Sequence, residues 1–123
     1  MRIFKTKSFN KWTKKNRLTD KVLIEAVKEI DNGLVDAKLG SNLYKKRIAT
    51  ATKGKRGGFR TLLAYKKGKL VFFVYGFGKG EKENISNEDE ENLKKAADVY
   101  LSFDENAIQL AITIGSLVEV KNA

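Results

Sequence analysis

The chain contains no cysteine and no histidine. Without cysteine there is no disulfide scaffold, no thiolate zinc or iron–sulfur site and no thiol nucleophile. Without histidine the commonest general base, every Ser-His triad and most transition-metal sites are excluded. No apolar run approaches the roughly 20 residues of a membrane helix, and the N-terminus lacks the apolar core of a signal peptide. The expectation is a cytoplasmic protein of a reducing compartment that engages no membrane. What is present suffices for folding: 123 residues, 41% hydrophobic and 33% charged, are enough for one domain with its own core. A single domain spanning 1–123 is expected, with a C-terminal helical extension at about 104–123.

Acidic residues are scarce where basic ones are dense. Residues 1–82 carry 22 basic and 6 acidic side chains, a net charge of +16, whereas residues 83–123 carry 3 and 9, a net charge of −6. Between Lys38 and Lys82 there are 13 basic residues and one acid, Glu81. A field of this kind draws polyanions and accelerates their encounter, and each phosphate neutralised releases counterions. A solubilising surface is the plain alternative. Confinement of the bias to one segment favours nucleic acid.

Hydrophobic periodicity sets the element order. Arg2-Ile3-Phe4-Lys5 alternates as a first strand. Ser8 is placed to cap a short helix bearing Phe9 and Trp12. Thr19 or Asp20 caps a second, in which Val22, Leu23, Ala26, Val27 and Ile30 keep the 3.6-residue period up to Asn32-Gly33. Together they predict a helical hairpin on a sheet. Residues 34–42 read as a connection. Leu43 to Ala49 reads as a strand with Lys45 and Arg47 on one face and Tyr44, Lys46 and Ile48 on the other. A basic loop over 50–58 leads to a strand from Phe59 to Lys66, a Lys67-Gly68 turn, and an apolar strand from Leu70 to Phe77 that suits a doubly covered central position. A second basic loop follows at 78–82. Ser86 and Asp104 cap two last helices, and Leu117 to Val120 reads as a small strand. The fold class is α+β, an antiparallel twisted sheet of about four strands with an N-terminal helical hairpin and C-terminal helices.

The two basic loops flank one hairpin, so Lys53, Lys55, Arg56, Arg60, Lys79 and Lys82 are expected at one rim of the sheet, joined by Lys45 and Arg47. Fixed cations suit phosphodiester cleavage by an adjacent 2′-hydroxyl, because negative charge grows on the phosphoryl oxygens in the transition state. No metal or other cofactor is required. Crowded ammonium groups depress one another's pKa, which qualifies a lysine as base; Glu81 is the other candidate, although an ion-pair role is preferred for it. Tyr75 and Phe77 are candidates to stack on bases. Core packing is the favoured role for Phe77 and an equal one for Tyr75. The glycines at 54–58 lack the spacing of a Walker phosphate loop.

Taken together, Tyr44-Lys45-Lys46-Arg47-Ile48-Ala49, Gly54-Lys55-Arg56-Gly57-Gly58-Phe59-Arg60 and the run from Phe72 through Gly76-Phe77-Gly78-Lys79-Gly80-Glu81-Lys82 to Ile85 resemble the core of RelE/HigB-like toxins of type II toxin–antitoxin systems. The resemblance is strongest over about 43–85. It implies the compact, microbial-ribonuclease-like toxin fold and a ribosome-dependent endoribonuclease that cuts mRNA in the decoding site of the 70S ribosome. It further implies Lys45 and Arg47 as substrate contacts that assist proton transfer, Arg60 as holder of the scissile phosphate, and Lys79 and Lys82 in the basic segment after the last strand. Gly80 stands where RelE itself has an arginine, and Ser86 where the family carries a tyrosine or another polar catalytic residue. A cognate antitoxin is implied, acidic in its toxin-binding part and often of helix-turn-helix type. The alternative is a non-enzymatic relative, either a ParE-type gyrase inhibitor or a nucleic-acid-binding module.

Overall fold

A computed structural model of the chain describes residues 1–50, 54–78 and 85–121. The elements are β1 (Arg2–Thr6), α1 (Lys7–Lys15), α2 (Asp20–Asp31), β2 (Ala37–Gly40), β3 (Leu43–Thr50), β4 (Gly54–Lys66), β5 (Leu70–Gly78), α3 (Asn87–Leu101), α4 (Glu105–Thr113) and β6 (Leu117–Val120). The six strands form one sheet in the order β2-β3-β4-β5-β1-β6. β1 runs parallel to β5, and every other pair is antiparallel.

Each helix starts where a side-chain oxygen takes an otherwise orphaned N–H. Thr6 accepts from Phe9, Thr19 from Val22, Ser86 from Asp89 and Asp104 from Ala107. Thr6, two residues before the expected Ser8, therefore begins α1.

The apolar faces of the helices sandwich the sheet. On one side Phe9 of α1 and Leu23, Ala26, Val27 and Ile30 of α2 pack with Ile48, Leu63, Tyr65, Val71 and Phe73. On the other, Ala97 of α3 and Ile108 and Ala111 of α4 pack with Phe4, Leu43, Leu62, Ala64, Phe72, Val74 and Leu117. β5 thus feeds both layers and is doubly covered, as its sequence suggests. Each fully buried Leu or Phe contributes about 1.5–3 kcal/mol. Among the described residues no helix is long and apolar enough to cross a membrane.

The expectation of about four antiparallel strands is corrected to six strands in a mixed sheet. β2 was missed because it is four residues long and its pairing with β3 shifts register between Lys38 and Gly40. It turns into β3 through Ser41 and Asn42, both left-handed at φ 52° and 61°, the backbone that a tight hairpin requires. The parallel pairing of β1 with β5 leaves no local trace in sequence. The N-terminal helices are also not a hairpin packed on itself: α1 lies over β1, β5 and β6, and α2 over β3. β4 begins at Gly54, so part of the expected basic loop is strand, with Thr50 paired to Gly54.

Candidate nucleic-acid interface

Antiparallel register lines up side chains across the face that α3 partly covers. Leu43, Ala64 and Phe72 form a fully buried row under the helices. The next row is Lys45–Leu62–Tyr75, and the one after it Arg47–Arg60–Phe77. Lys45, Arg47 and Arg60, from two strands, therefore share one face. Leu43 and Leu62, at alternate positions on the same strands, lie in the α3 layer and fix which face it is.

Tyr75 and Phe77 reach this face through a bulge. Leu62 pairs with Tyr75 but Leu63 with Phe73, so Val74 is an extra residue in β5. Strict alternation from Phe73, which faces α1, would have sent Tyr75 and Phe77 the same way. The bulge reverses them and turns Gly76 toward Trp12 instead. Phe77 is buried at 4% exposure and belongs to the core. Tyr75 is half-buried, with its ring 5.9 Å from that of Phe77.

The electrostatics of the two faces differ. Under α1 and α2 the buried ammonium groups are neutralised: Lys5 Nζ lies 2.9 Å from Asp20 Oδ1 and Lys46 Nζ 2.7 Å from Glu29 Oε1. On the opposite face the Lys45 ammonium has neither a hydrogen bond nor an ion pair among the described residues. Among the described residues the Arg60 side chain makes one long bond, Nη1 donating to the Gly58 carbonyl at 3.5 Å. Arg47 is drawn toward the sheet edge by Asp36, whose Oδ2 accepts the Arg47 backbone N–H at 2.6 Å and whose Oδ1 lies 3.6 Å from Nε. Nε itself is buried and donates no hydrogen bond. Like charges directly opposite on antiparallel strands repel, and among the described residues a single carboxylate serves this pair. A bound anion would relieve the repulsion between the two guanidinium groups.

Of the residues expected from sequence, Lys45, Arg47, Arg60 and Tyr75 are brought together. Lys55 and Arg56 lie at the start of β4, where the backbone alone is described. Lys53, Lys79, Lys82 and Glu81 lie outside the described residues. Ser86 is occupied as the cap of α3. Two neighbours were missed. Asp36 carried a usable signal, being the sole acid between Asp31 and Glu81. Asn92 carried none, because its place beside Tyr75 depends on how α3 crosses the sheet.

Fold and face define a small, basic α+β protein with Lys45, Arg47 and Arg60 on one face of its sheet. The family model described as the RelE toxin of the RelE/RelB toxin–antitoxin system matches residues 1–120, so the chain belongs to the RelE toxin family. Membership implies an antitoxin as partner. No curated protein matches the chain.

Proposed function

We propose that the protein is a ribosome-dependent mRNA endoribonuclease that inhibits translation and is held in check by a cognate antitoxin. RelE-family toxins are generally ribonucleases. The observation that carries the reading is the trio Lys45, Arg47 and Arg60 on one face, with Lys45 and Arg60 lacking an acidic partner among the described residues.

In the proposed reaction the ribose 2′-oxygen attacks the adjacent phosphorus and the P–O5′ bond breaks. A 2′,3′-cyclic phosphate and a 5′-hydroxyl result. The 2′-hydroxyl gives up a proton and the departing 5′-oxygen gains one. Arg60 holds the phosphate, with Arg47 opposite it and Lys45 one row away. Their charge is worth most when the extra negative charge sits on the non-bridging oxygens, so they stabilise the transition state above the ground state. Lys79, from the segment after β5, is proposed as a further contributor, and Lys53, Lys55, Arg56 and Lys82 as backbone contacts along the RNA.

Expression of the wild-type chain and of Arg60→Ala, each followed by primer extension on cellular mRNA, tests this. The wild type is expected to leave discrete cuts inside codons of translated messages. Arg60→Ala is expected to lose about 10²–10³-fold in cutting rate and to release growth inhibition, with an unchanged circular dichroism spectrum. Undiminished cutting by that variant overturns the assignment of Arg60. Growth arrest by the wild type without cuts overturns the nuclease reading in favour of a non-enzymatic inhibitor.

A further inference from the structure

Beside the cationic rows the face sinks into a cleft of about 210 Å³ between β5 and the first half of α3, lined by Tyr75, Ile85, Asp89, Asn92 and Leu93. We infer that this cleft is a nucleobase pocket that stacks an adenine on Tyr75 and reads its edge with the Asn92 amide. The inference rests on the nuclease reading above and names a specificity element for it.

The pocket's parts match what single-stranded RNA offers, namely splayed bases that stack on aromatic rings and expose their edges. The Tyr75 ring is braced from one side by buried Phe77 and half-buried among Ile85 and Leu93, so it meets a ligand as a fixed plane. Ile85 and Leu93 make an apolar floor for the body of a base. The cleft is smaller than the roughly 300–1,000 Å³ of a drug-sized site, which suits one base rather than a larger ligand.

Asp89, Asn92 and Leu93 stand three and four residues apart and so line one side of α3. Asn92 is exposed, and no hydrogen bond engages its amide among the described residues. A free amide presents an acceptor beside a donor, the complement of the N6 donor and N7 acceptor of adenine. Arg60 and Tyr75 are diagonal neighbours across β4 and β5, so the two groups contact parts of one short stretch of RNA.

The test uses the full chain and 2′-deoxy trinucleotides that differ in one base, since these bind without being cut. Affinity is read by fluorescence anisotropy, and the Asn92 side-chain amide is followed by NMR. The adenine-containing probe is expected to shift the Asn92 signals. Asn92→Ala is expected to bind that probe about tenfold more weakly while the other probes change less than twofold. Asn92→Asp, which can only accept, is expected to move the preference toward cytosine and its N4 donor. Equal affinities for all probes in wild type and both variants would overturn the pocket, as would Asn92 signals that move with an antitoxin peptide and never with an oligonucleotide. If the wild type cuts mRNA and Asn92→Ala cuts with an identical base profile, the pocket falls and the nuclease stands. If the adenine probe binds through Asn92 but no mRNA is cut, the nuclease falls and the pocket stands.

Discussion

Gly76 keeps Trp12 in place. A β-carbon at this position would run into the indole ring, and the indole is itself wedged between Phe9 at 5.3 Å and Phe59 at 5.3 Å. Gly76→Ala is expected to cost about 1–3 kcal/mol by overpacking, visible as a fall in thermal midpoint, and combination with Trp12→Leu is expected to recover part of it. At this scale the sequence was informative wherever period-2 alternation held. Lys45 and Arg47 were assigned to one side of β3 and Lys46 to the other, and the structure agrees. It was uninformative where alternation breaks. The extra residue at Val74 that carries Tyr75 over to the cationic face has no compositional mark, because Phe72-Phe73-Val74-Tyr75 is apolar at every position.

Among elements, the ends of the chain are tied together by charge. Arg2 of β1 donates from Nε to Glu119 of β6 at 3.0 Å and from Nη1 to Glu105 of α4 at 2.9 Å. The Arg2 bond holds the Glu119 carboxyl below its ordinary value of 4.5, against the opposing effect of burial. As pH falls, the unfolded chain therefore takes up this proton before the folded one does. The contribution is complete above pH 4.5 and is lost as pH drops through the lowered value. Glu119→Gln is expected to flatten the acid limb of a plot of thermal midpoint against pH. At neutral pH it should cost about 0.5–1 kcal/mol, because the partner Arg2 is 35% exposed and screened by solvent. Helix boundaries were readable from their caps, Thr19, Ser86 and Asp104. The pairing of β4 with β5 was readable from the Lys67-Gly68 turn, but the partner of β1 was not, because its pairing to β5 depends on contacts nearly 70 residues apart that no local pattern encodes.

For the molecule as a whole, charge is the property that composition conveyed best. The +16 of residues 1–82 was visible without a fold. What composition could not tell was which cations are spent within the structure. Lys5 and Lys46 neutralise helix acids, whereas Lys45 and Arg60, on the other face, have no acidic partner among the described residues. Affinity for single-stranded RNA should fall linearly on a log–log plot against salt, and Arg60→Ala should lessen the slope by about 0.7, the share of one phosphate contact. Filter binding across a salt series measures this. An unchanged slope would place Arg60 away from the phosphates.

The parallel union of β1 with β5 also bears on how the protein comes into being. A nascent polypeptide exposes its first strand long before residues 70–78 exist to receive it, and the strand on its other flank, 117–120, emerges later still. The β3–β4–β5 part of the sheet, which carries the cations, is consequently made before the β1–β6 flank can be completed.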